Sequence, residues 1–241
     1  GDRPAVSRHD GAARRRARPG ADRGTLDFRS PQKGVGAMSR VLVIIPAFNE
    51  EKLLPHTLKS CIDSLKELSA KFAGEIIVVD NNSSDGTAEI AKSFGAKLVF
   101  EKENCIARAR NKGAESALGN FLIFIDADTL APSELIEKAI EAMKNGSHCG
   151  GGSLVGLDDE KIGFLPHVLT TIWNWGVLNI FHVAAGSFLF CLKDAWSETG
   201  GFDEHYYASE QVHFSIALRR WGKKRKMKFK IVPIKVKSSS R

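Results

Sequence analysis

The chain has 241 residues, 43% of them apolar and 26% charged, and its formal net charge is +7. These values exclude a mostly disordered chain and predict a soluble globular domain with a sizeable core. The positive charge lies at the two ends, because residues 1–37 hold nine Lys/Arg against four acids and residues 219–241 hold eleven and no acid. Residues 38–218 hold fifteen bases against twenty-four acids, so net charge alone does not predict a nucleic-acid partner.

The four cysteines lie far apart, with no CxxC pair and no histidine at zinc-finger spacing. This spacing argues against a structural zinc site and is typical of a reducing compartment. The longest weakly charged stretch, residues 163–192, contains histidines, asparagines and several glycines and is a poor transmembrane helix. No signal peptide is visible. We therefore expect a cytoplasmic protein, with peripheral contact at the inner membrane face left open.

Residues 1–37 are rich in Arg, Gly, Ala and Pro and have few large apolar side chains. We expect a disordered tail, because little apolar burial would offset the ordering entropy. The RRRAR run at 14–18 is compatible with an anionic membrane or nucleic acid, and equally with a solvated tail or leader. The folded domain is expected over 38–241.

Apolar runs at 41–45, 76–79 and 121–125 predict buried strands, and a shorter strand is predicted at 97–100. The first is followed by a helical pattern, with Asn49 as its expected N-cap and Pro55 in its first turn. Further helices are predicted over 87–94 and 104–118, and another begins near Pro132 and Ser133. This alternation predicts a parallel sheet with helices on both faces.

Each long predicted strand ends in polar residues: Asn49 and Glu50, then Asp80, then Asp126 and Asp128. Two unpaired carboxylates cannot both lie in a core, so Asp126 and Asp128 must sit at the exposed carboxyl end of their strand. Open α/β sheets bind ligands at that edge, and hard oxygen ligands suit Mg²⁺ or Mn²⁺ carrying a diphosphate. Taken alone, Asp-x-Asp is also compatible with a solvated turn that caps the next helix.

No GxGxxG or P-loop pattern is present, which disfavours a dinucleotide or Walker-type site. Phosphate charge would then be neutralised by a metal ion and by basic side chains.

The second half is less regular. Gly150 to Gly152 indicate a flexible turn or a close backbone approach. Residues 162–181, with Trp173 and Trp175, predict a long apolar or amphipathic helix whose rings either contact a sugar or lipid or pack in the core. The basic run at 218–230 is compatible with a solvated face, with binding of a polyanion or a lipid diphosphate, or with an anionic membrane. A last strand is predicted at about 230–236.

The segments PAFNEE, VVDNNSSDGT, ARNKGAESALG and FIDADT, in this order and spacing, resemble a family 2 glycosyltransferase with the GT-A fold. The segments AAGSFLFCLKDAWSETGGFDE and SEQVHFSIALRRWGKK are similar to that family's acceptor-side segments. The resemblance covers about residues 40–241. It implies an α/β, Rossmann-like three-layer sandwich with a mostly parallel central sheet, in which 38–130 bind the nucleotide sugar and 131–241 supply the acceptor and catalytic half.

By that resemblance Asp80 reads the nucleotide base, while Asp126 and Asp128, the DXD motif, hold ribose and a divalent metal, Mn²⁺ or Mg²⁺. The full set implied for the nucleotide sugar is Pro46, Asn49, Glu50, Asp80, Asn82, Arg110, Asn111, Asp126, Ala127 and Asp128. Taken singly, Asp80 is also compatible with a turn cap and Arg110 with a surface helix charge. The acceptor-side candidates are His182, Gly186, Ser187, Trp196, Gln211 and His213, and a structural role for His182 stays open.

The family usually has Glu-Asp where this chain has Glu210 and Gln211, and the Asp acts as general base. Glutamine cannot take a proton. Glu210 is then the carboxylate left within the motif, and we assign base catalysis to it, with His213 as the alternative.

The expected function is metal-dependent transfer of a sugar from a UDP- or GDP-sugar to a hydroxyl of a glycan, lipid or small-molecule acceptor, with inversion and without a nucleic-acid partner. A nucleotide-sugar-binding module that lost catalysis with Gln211 is the alternative. Nucleotidyl transfer is a third hypothesis, which the segment GGFDE and the residues Ser209-Glu210-Gln211 do not support.

We expect a chain that begins at Met38 to keep the melting temperature and donor binding of the full chain, because the tail has little apolar surface to pack. Thermal unfolding and calorimetry on both chains would check this. A drop of several degrees would mean that the tail docks on the domain.

Overall fold

The computed structural model describes residues 40–157, 187–206 and 209–238. The predicted tail at 1–37 and the predicted helix at 162–181 lie outside these residues. The strands are β1 (Arg40–Ala47), β2 (Ala73–Asp80), β3 (Lys97–Phe100), β4 (Phe121–Ile125), β5 (Thr129–Leu130), β6 (His148–Leu157), β7 (Phe188–Leu192) and β8 (Lys228–Ser238). The helices are α1 (Leu54–Glu67), α2 (Thr87–Ser93), α3 (Ile106–Ser116), α4 (Ser133–Lys144), α5 (Lys193–Thr199) and α6 (Glu210–Lys224).

These strands form one sheet in the order β3-β2-β1-β4-β7-β6-β8-β5. The first four are parallel to one another, and β7 runs antiparallel to both β4 and β6. Beyond β7, β8 is parallel to β6 and β5 is antiparallel to β8. The sheet is therefore mixed, with a parallel half as predicted and a second half that follows the antiparallel strand β7.

Helices cover both faces, as predicted. Alternate residues of β1 point to opposite sides, so that Val41, Val43 and Ile45 join the core under α1 and α4, while Leu42 and Ile44 join the core under α3, α5 and α6. Both faces of the central strands are buried, which is why they read as continuous apolar runs. No helix among the described residues is long and apolar enough to cross a membrane.

The first helix begins later than predicted, at Leu54, and Asn49 does not cap it. Asn49 has a left-handed backbone, with φ of 55°, and its side-chain oxygen accepts hydrogen bonds from the Ser84 amide at 2.8 Å and from the Ser84 hydroxyl. The expectation of an Asn49 cap was wrong because a loop 35 residues further along the chain binds that oxygen. Local sequence reasoning could not anticipate such a partner.

Gly150 to Gly152 lie in the middle of β6, so the prediction of a close backbone approach is confirmed and that of a flexible turn is wrong. A Cβ atom on Gly151 would lie 1.9 Å from the Lys230 carbonyl oxygen on β8, and one on Gly150 would lie 2.5 Å from the Phe190 carbonyl oxygen on β7. The glycines allow these neighbouring strands to pack at close range around β6.

We expect Gly151→Ala to lower the free energy of unfolding by about 3 kcal/mol or more, at the upper end of typical overpacking costs, because a backbone oxygen cannot move aside as a side chain does. Urea denaturation would measure this. Gly146→Ala is the control, since its methyl group would enter open space at a φ of 66° and only backbone strain of about 1–2 kcal/mol is expected. Equal losses for the two variants would contradict the tight approach.

Candidate nucleotide-sugar site

The carboxyl ends of β2, β1 and β4 lie side by side at one edge of the sheet. The chain leaves β1 toward β2 and β3 and then returns to form β4 on the other side of β1, so β1 and β4 flank a topological switch point, where open α/β sheets bind ligands. A cleft of about 460 Å³ opens there, within the usual range for a small-molecule site. It is lined by Pro46, Ala47, Phe48, Glu50, Asn81, Ile106, Asp126, Ala127 and Asp128.

The Asp126-Ala127-Asp128 turn is held by its backbone. The Ala127 carbonyl accepts a hydrogen bond from the Thr57 hydroxyl on α1 at 2.8 Å, and the Asp126 amide donates to the Ser187 carbonyl at 3.3 Å. Thr129 closes the turn by donating its amide to the Asp126 carbonyl. These contacts with α1, with the residue before β7 and within the turn leave the two carboxylates at the cleft.

The two aspartates differ in their surroundings. Asp126 Oδ1 accepts a hydrogen bond from Arg110 Nη2 at 2.7 Å, and its side chain is 28% exposed. Burial raises the pKa of Asp126 above its usual range, and the Arg110 guanidinium opposes this shift. Asp128 Oδ1 lies 3.2 Å from the Thr129 hydroxyl and 3.4 Å from the Ser238 hydroxyl.

The donor set at this turn fits a hard divalent cation that is bound together with a phosphate ligand. Within the described parts of the chain, no three His, Cys, Asp or Glu side chains come together as a metal site. Mg²⁺ and Mn²⁺ are commonly bound by one or two carboxylates together with substrate phosphates. Asp126 and Asp128 are the residues that could supply those carboxylates.

The loop after β1 and the loop after β2 are joined by hydrogen bonds. The backbone amides of Asn49 and Glu50 donate to the Ser83 hydroxyl at 3.0 Å and the Thr87 hydroxyl at 2.8 Å. Because the two loops brace each other, both the predicted Asn49 and Glu50 are held at the cleft edge by backbone contacts. Only Glu50 of the two lines the cleft.

Asp80 is buried at the end of β2, and its Oδ1 accepts a hydrogen bond from the Ser83 amide at 2.9 Å. The turn-capping interpretation is therefore observed. Oδ2 makes no hydrogen bond with the described residues, so a nucleotide contact through that oxygen stays a prediction. Asn82 is exposed, has a φ of 67°, and donates to Asn104.

Four cleft residues were missed by sequence reasoning: Ala47, Phe48, Asn81 and Ile106. Phe48 is a large apolar residue that is 48% exposed, and it lines the cleft. It lies inside the PAFNEE segment, so its position in the motif was an available signal. Asn81 fixes the loop before α3, because its Oδ1 accepts from the Cys105 amide at 3.0 Å.

Arg110 is the link between the two halves of the site. It is 1% exposed, which excludes the interpretation of a surface helix charge. Its Nη1 donates to Glu210 Oε1 at the start of α6, while its Nη2 bonds to Asp126. The predicted base, Glu210, is itself only 3% exposed, and its assignment as a base stays a prediction.

Asn111 anchors the loop between α5 and α6. Its Nδ2 donates to the Phe202 carbonyl at 2.8 Å and to Glu204, and its Oδ1 accepts from the Phe202 amide at 2.9 Å and from Trp196 Nε1. An asparagine amide offers two donors and two acceptor positions, and these four bonds use all of them. A nucleotide contact by Asn111 stays a prediction, and it would have to displace one of these bonds.

The acceptor-side candidates are spread over different surroundings. His182 and Gly186 lie outside the described residues. Ser187 contacts the Asp126 amide through its carbonyl, and Trp196 is partly buried against the core with its indole N–H on Asn111. Gln211 is partly buried on α6, and the exposed His213 stacks on Tyr206 with ring centroids 3.9 Å apart.

A mixed sheet with helices on both faces and a carboxylate-lined cleft at its switch point defines a GT-A glycosyltransferase fold. The chain belongs to glycosyl transferase family 2, whose model matches residues 42–184.

Relatives include the uncharacterized glycosyltransferase YfnE of Bacillus subtilis, 43% identical over 108 residues, which are 43% of this chain and 26% of that protein. The dolichol-phosphate mannosyltransferase of Pyrococcus furiosus is 36% identical over 119 residues, which are 47% of this chain and 33% of that protein. This chain thus matches a third or less of the length of these two relatives.

Two solved structures share the fold. The mannosyltransferase PcManGT from Pyrobaculum calidifontis, in complex with GDP-Man and Mn²⁺, has a TM-score of 0.66 at 19% identity and covers 88% of this chain and 61% of its own. For Staphylococcus aureus TarS 1-349, in complex with UDP-GlcNAc, the TM-score is 0.65 at 16% identity, and the match covers 84% of this chain and 59% of the TarS chain.

We expect Asn111→Leu to lower the free energy of unfolding by about 2–5 kcal/mol, because it leaves the buried Phe202 amide and carbonyl without their partner and each unsatisfied group costs about 1–3 kcal/mol. Chemical denaturation would measure the loss. Asn104→Ala, which removes an exposed amide, should change stability by no more than about 0.5 kcal/mol. A mild effect of Asn111→Leu on stability with a large loss of donor affinity would instead make Asn111 a nucleotide ligand.

Proposed function

We propose that the chain transfers a sugar from a nucleoside-diphosphate sugar to an acceptor hydroxyl, with inversion and with a divalent cation. The observation that carries this proposal is the cleft at the switch point, where Asp126 and Asp128 lie at one wall and the loops after β1 and β2 form the other. Family membership supports the reaction type.

The donor would lie with its base toward the β2 side of the cleft and its diphosphate toward β4. A uracil or guanine N–H group can donate to a carboxylate oxygen such as Asp80 Oδ2. The exposed Phe48 ring offers a face on which a base or ribose can pack. UDP- and GDP-sugars are the donor candidates, in line with the ligands named for the TarS and PcManGT structures.

The cation would be Mn²⁺ or Mg²⁺, held by Asp126 and Asp128 together with diphosphate oxygens. When bound, it would neutralise charge on the leaving diphosphate. The chain's own contribution is to hold the two carboxylates in place through Thr57, Ser187 and Arg110. Because these contacts fix the carboxylates before the reaction, less entropy has to be lost on reaching the transition state.

The acceptor hydroxyl would attack the sugar from the side opposite the diphosphate and lose its proton to a base. A glycan, lipid or small molecule is the acceptor class, and relatives named for dolichol phosphate and undecaprenyl phosphate support a lipid. On a lipid phosphate, the attacking group would be a phosphate oxygen in place of the hydroxyl. The basic residues at the end of α6 are a separate surface, because Lys223 lies thirteen residues and about 20 Å along the helix from Glu210. We propose them for peripheral contact with an anionic membrane, not for acceptor binding.

A nucleotide-sugar-binding module without turnover is the second candidate. It is favoured by Gln211 at the usual position of the base and by the burial of Glu210.

Thermal shift with Mn²⁺ and a panel of nucleotides would identify the donor, since a ligand at about 100 times its Kd adds about 2.7 kcal/mol of stability. Release of nucleoside diphosphate from the donor then distinguishes a transferase from a binding module, because a binding module would be stabilised by the donor without turning it over.

We expect Asp128→Asn to abolish Mn²⁺-dependent binding of UDP or GDP, because it keeps the side-chain shape and removes the charge opposite the diphosphate. Titration calorimetry with and without Mn²⁺ would measure it. Asp63→Asn on the exposed face of α1 should bind as the unchanged chain does. Unaltered metal-dependent binding by Asp128→Asn would place the metal elsewhere.

A further inference from the structure

Arg110 is a buried cation that is shared between two carboxylates. Its two terminal nitrogens bond to Glu210 and Asp126, and its guanidinium carbon lies 5.4 Å from the centre of the Phe202 ring. An arginine stays charged in proteins, and a buried charge is costly unless it is paired and hydrogen-bonded. The two carboxylates supply that pairing from opposite halves of the chain.

Glu210 is poorly placed to receive a proton from an acceptor. A general base must come within about 2.6–3.2 Å of the hydroxyl or reach it through one water. Glu210 is 3% exposed and does not line the cleft. Its Oε1 already accepts a hydrogen bond from Arg110.

Asp126, by contrast, reaches the cleft. Arg110 holds Oδ1, which leaves Oδ2 as the oxygen that can turn toward a ligand. Partners that orient a metal-binding carboxylate typically change metal affinity or activity by about 10–100-fold. Without the charge of Glu210, Asp126 would be the sole carboxylate that neutralises Arg110. A cation would then have to compete with the whole positive charge of the guanidinium for Asp126.

We propose that Glu210 is a positioning residue for the donor site: it satisfies one side of Arg110, so that Arg110 orients Asp126 and leaves it available to the cation. The proposal rests on the proposed function, since it assigns a task to the cation site at Asp126 and Asp128. It replaces the role of general base that the sequence predicts for Glu210.

Glu210→Gln separates the two roles, because glutamine keeps the size and one oxygen acceptor but removes the charge. A positioning role predicts that the affinity for UDP or GDP in the presence of Mn²⁺ falls by about 10–100-fold in calorimetry. A general base predicts unchanged affinity and a rate of donor turnover about 10²–10⁴-fold lower. Unchanged affinity would overturn the proposal, and would return the base role to Glu210 if turnover falls or point to His213 if it does not.

Glu198→Gln is the matched control. Glu198 also pairs with an arginine, Arg225 at 2.5 Å, and accepts from Trp221 between α5 and α6, away from the cleft. It should leave Mn²⁺-dependent binding unchanged. Melting temperatures of both variants show whether each is folded.

Arg110→Lys keeps the charge but cannot bond to two carboxylates in the fork geometry of arginine, and it tests the proposal independently if Glu210→Gln does not fold. It should lower the Mn²⁺-dependent affinity by a similar factor. Because Glu210 acts through Arg110, a variant with both substitutions should lose no more Mn²⁺-dependent affinity than the weaker-binding single variant. If the two residues acted independently, the fold losses of the two single variants would multiply. Multiplied losses, or full affinity in Arg110→Lys, would overturn the proposal.

A failure of the proposed function at the donor site itself has a different signature. The unchanged chain would then bind neither UDP nor GDP with Mn²⁺, and the positioning role would fall with the site that it serves. Binding by the unchanged chain and by Glu210→Gln with equal affinity would sink the positioning role alone.

Discussion

The arrangement of this site depends on one interaction, the pairing of the buried Arg110 side chain with two carboxylates. Arg110 lies on α3, bonds to Asp126 at the end of β4 and to Glu210 at the start of α6, and is shielded from solvent. A charge in such a place requires both partners, because removing one leaves an uncompensated charge in a medium of low polarity. The position of the Asp126 carboxylate at the cleft therefore depends on how the two halves of the chain pack together.

Helix α3 joins the halves at two further points. Asn111 holds the backbone of Phe202, and Arg108 pairs with Glu204 at 2.9 Å. Gly201 accommodates this contact, since it has a φ of 71° and a Cβ atom there would lie 2.5 Å from Asn111 Oδ1. The segment GGFDE thus connects α5 to α6, and its second glycine, Gly201, is explained by the close contact with Asn111.

The mixed sheet places the carboxylate-lined cleft and the bases in the last turn of α6 at different ends. Strand carboxyl ends carry the acids, while the basic residues follow the far end of α6 and the start of β8.

The sequence by itself determined the parallel half of the fold and the identity of the strand-end acids. Continuous apolar runs identify strands buried on both faces, and polar residues directly after them must lie at the carboxyl edge, so Asp80, Asp126 and Asp128 could be placed together before any coordinates. The strand β7 was missed, although FLFCL is an equally apolar run. Only its pairing with β4 and β6 shows that the sheet continues through an antiparallel strand.

The tertiary structure alone decided which side chains line the cleft and which support others. Arg110 and Glu210 are 100 residues apart, and Asn111 and Phe202 are 91 apart. Sequence patterns report periodicity and local turn chemistry, both of which are short-range, so they identified these residue types but not their partners. Whether a carboxylate is free to take a proton or is held by an arginine depends on burial and on long-range pairing, which only the folded chain defines.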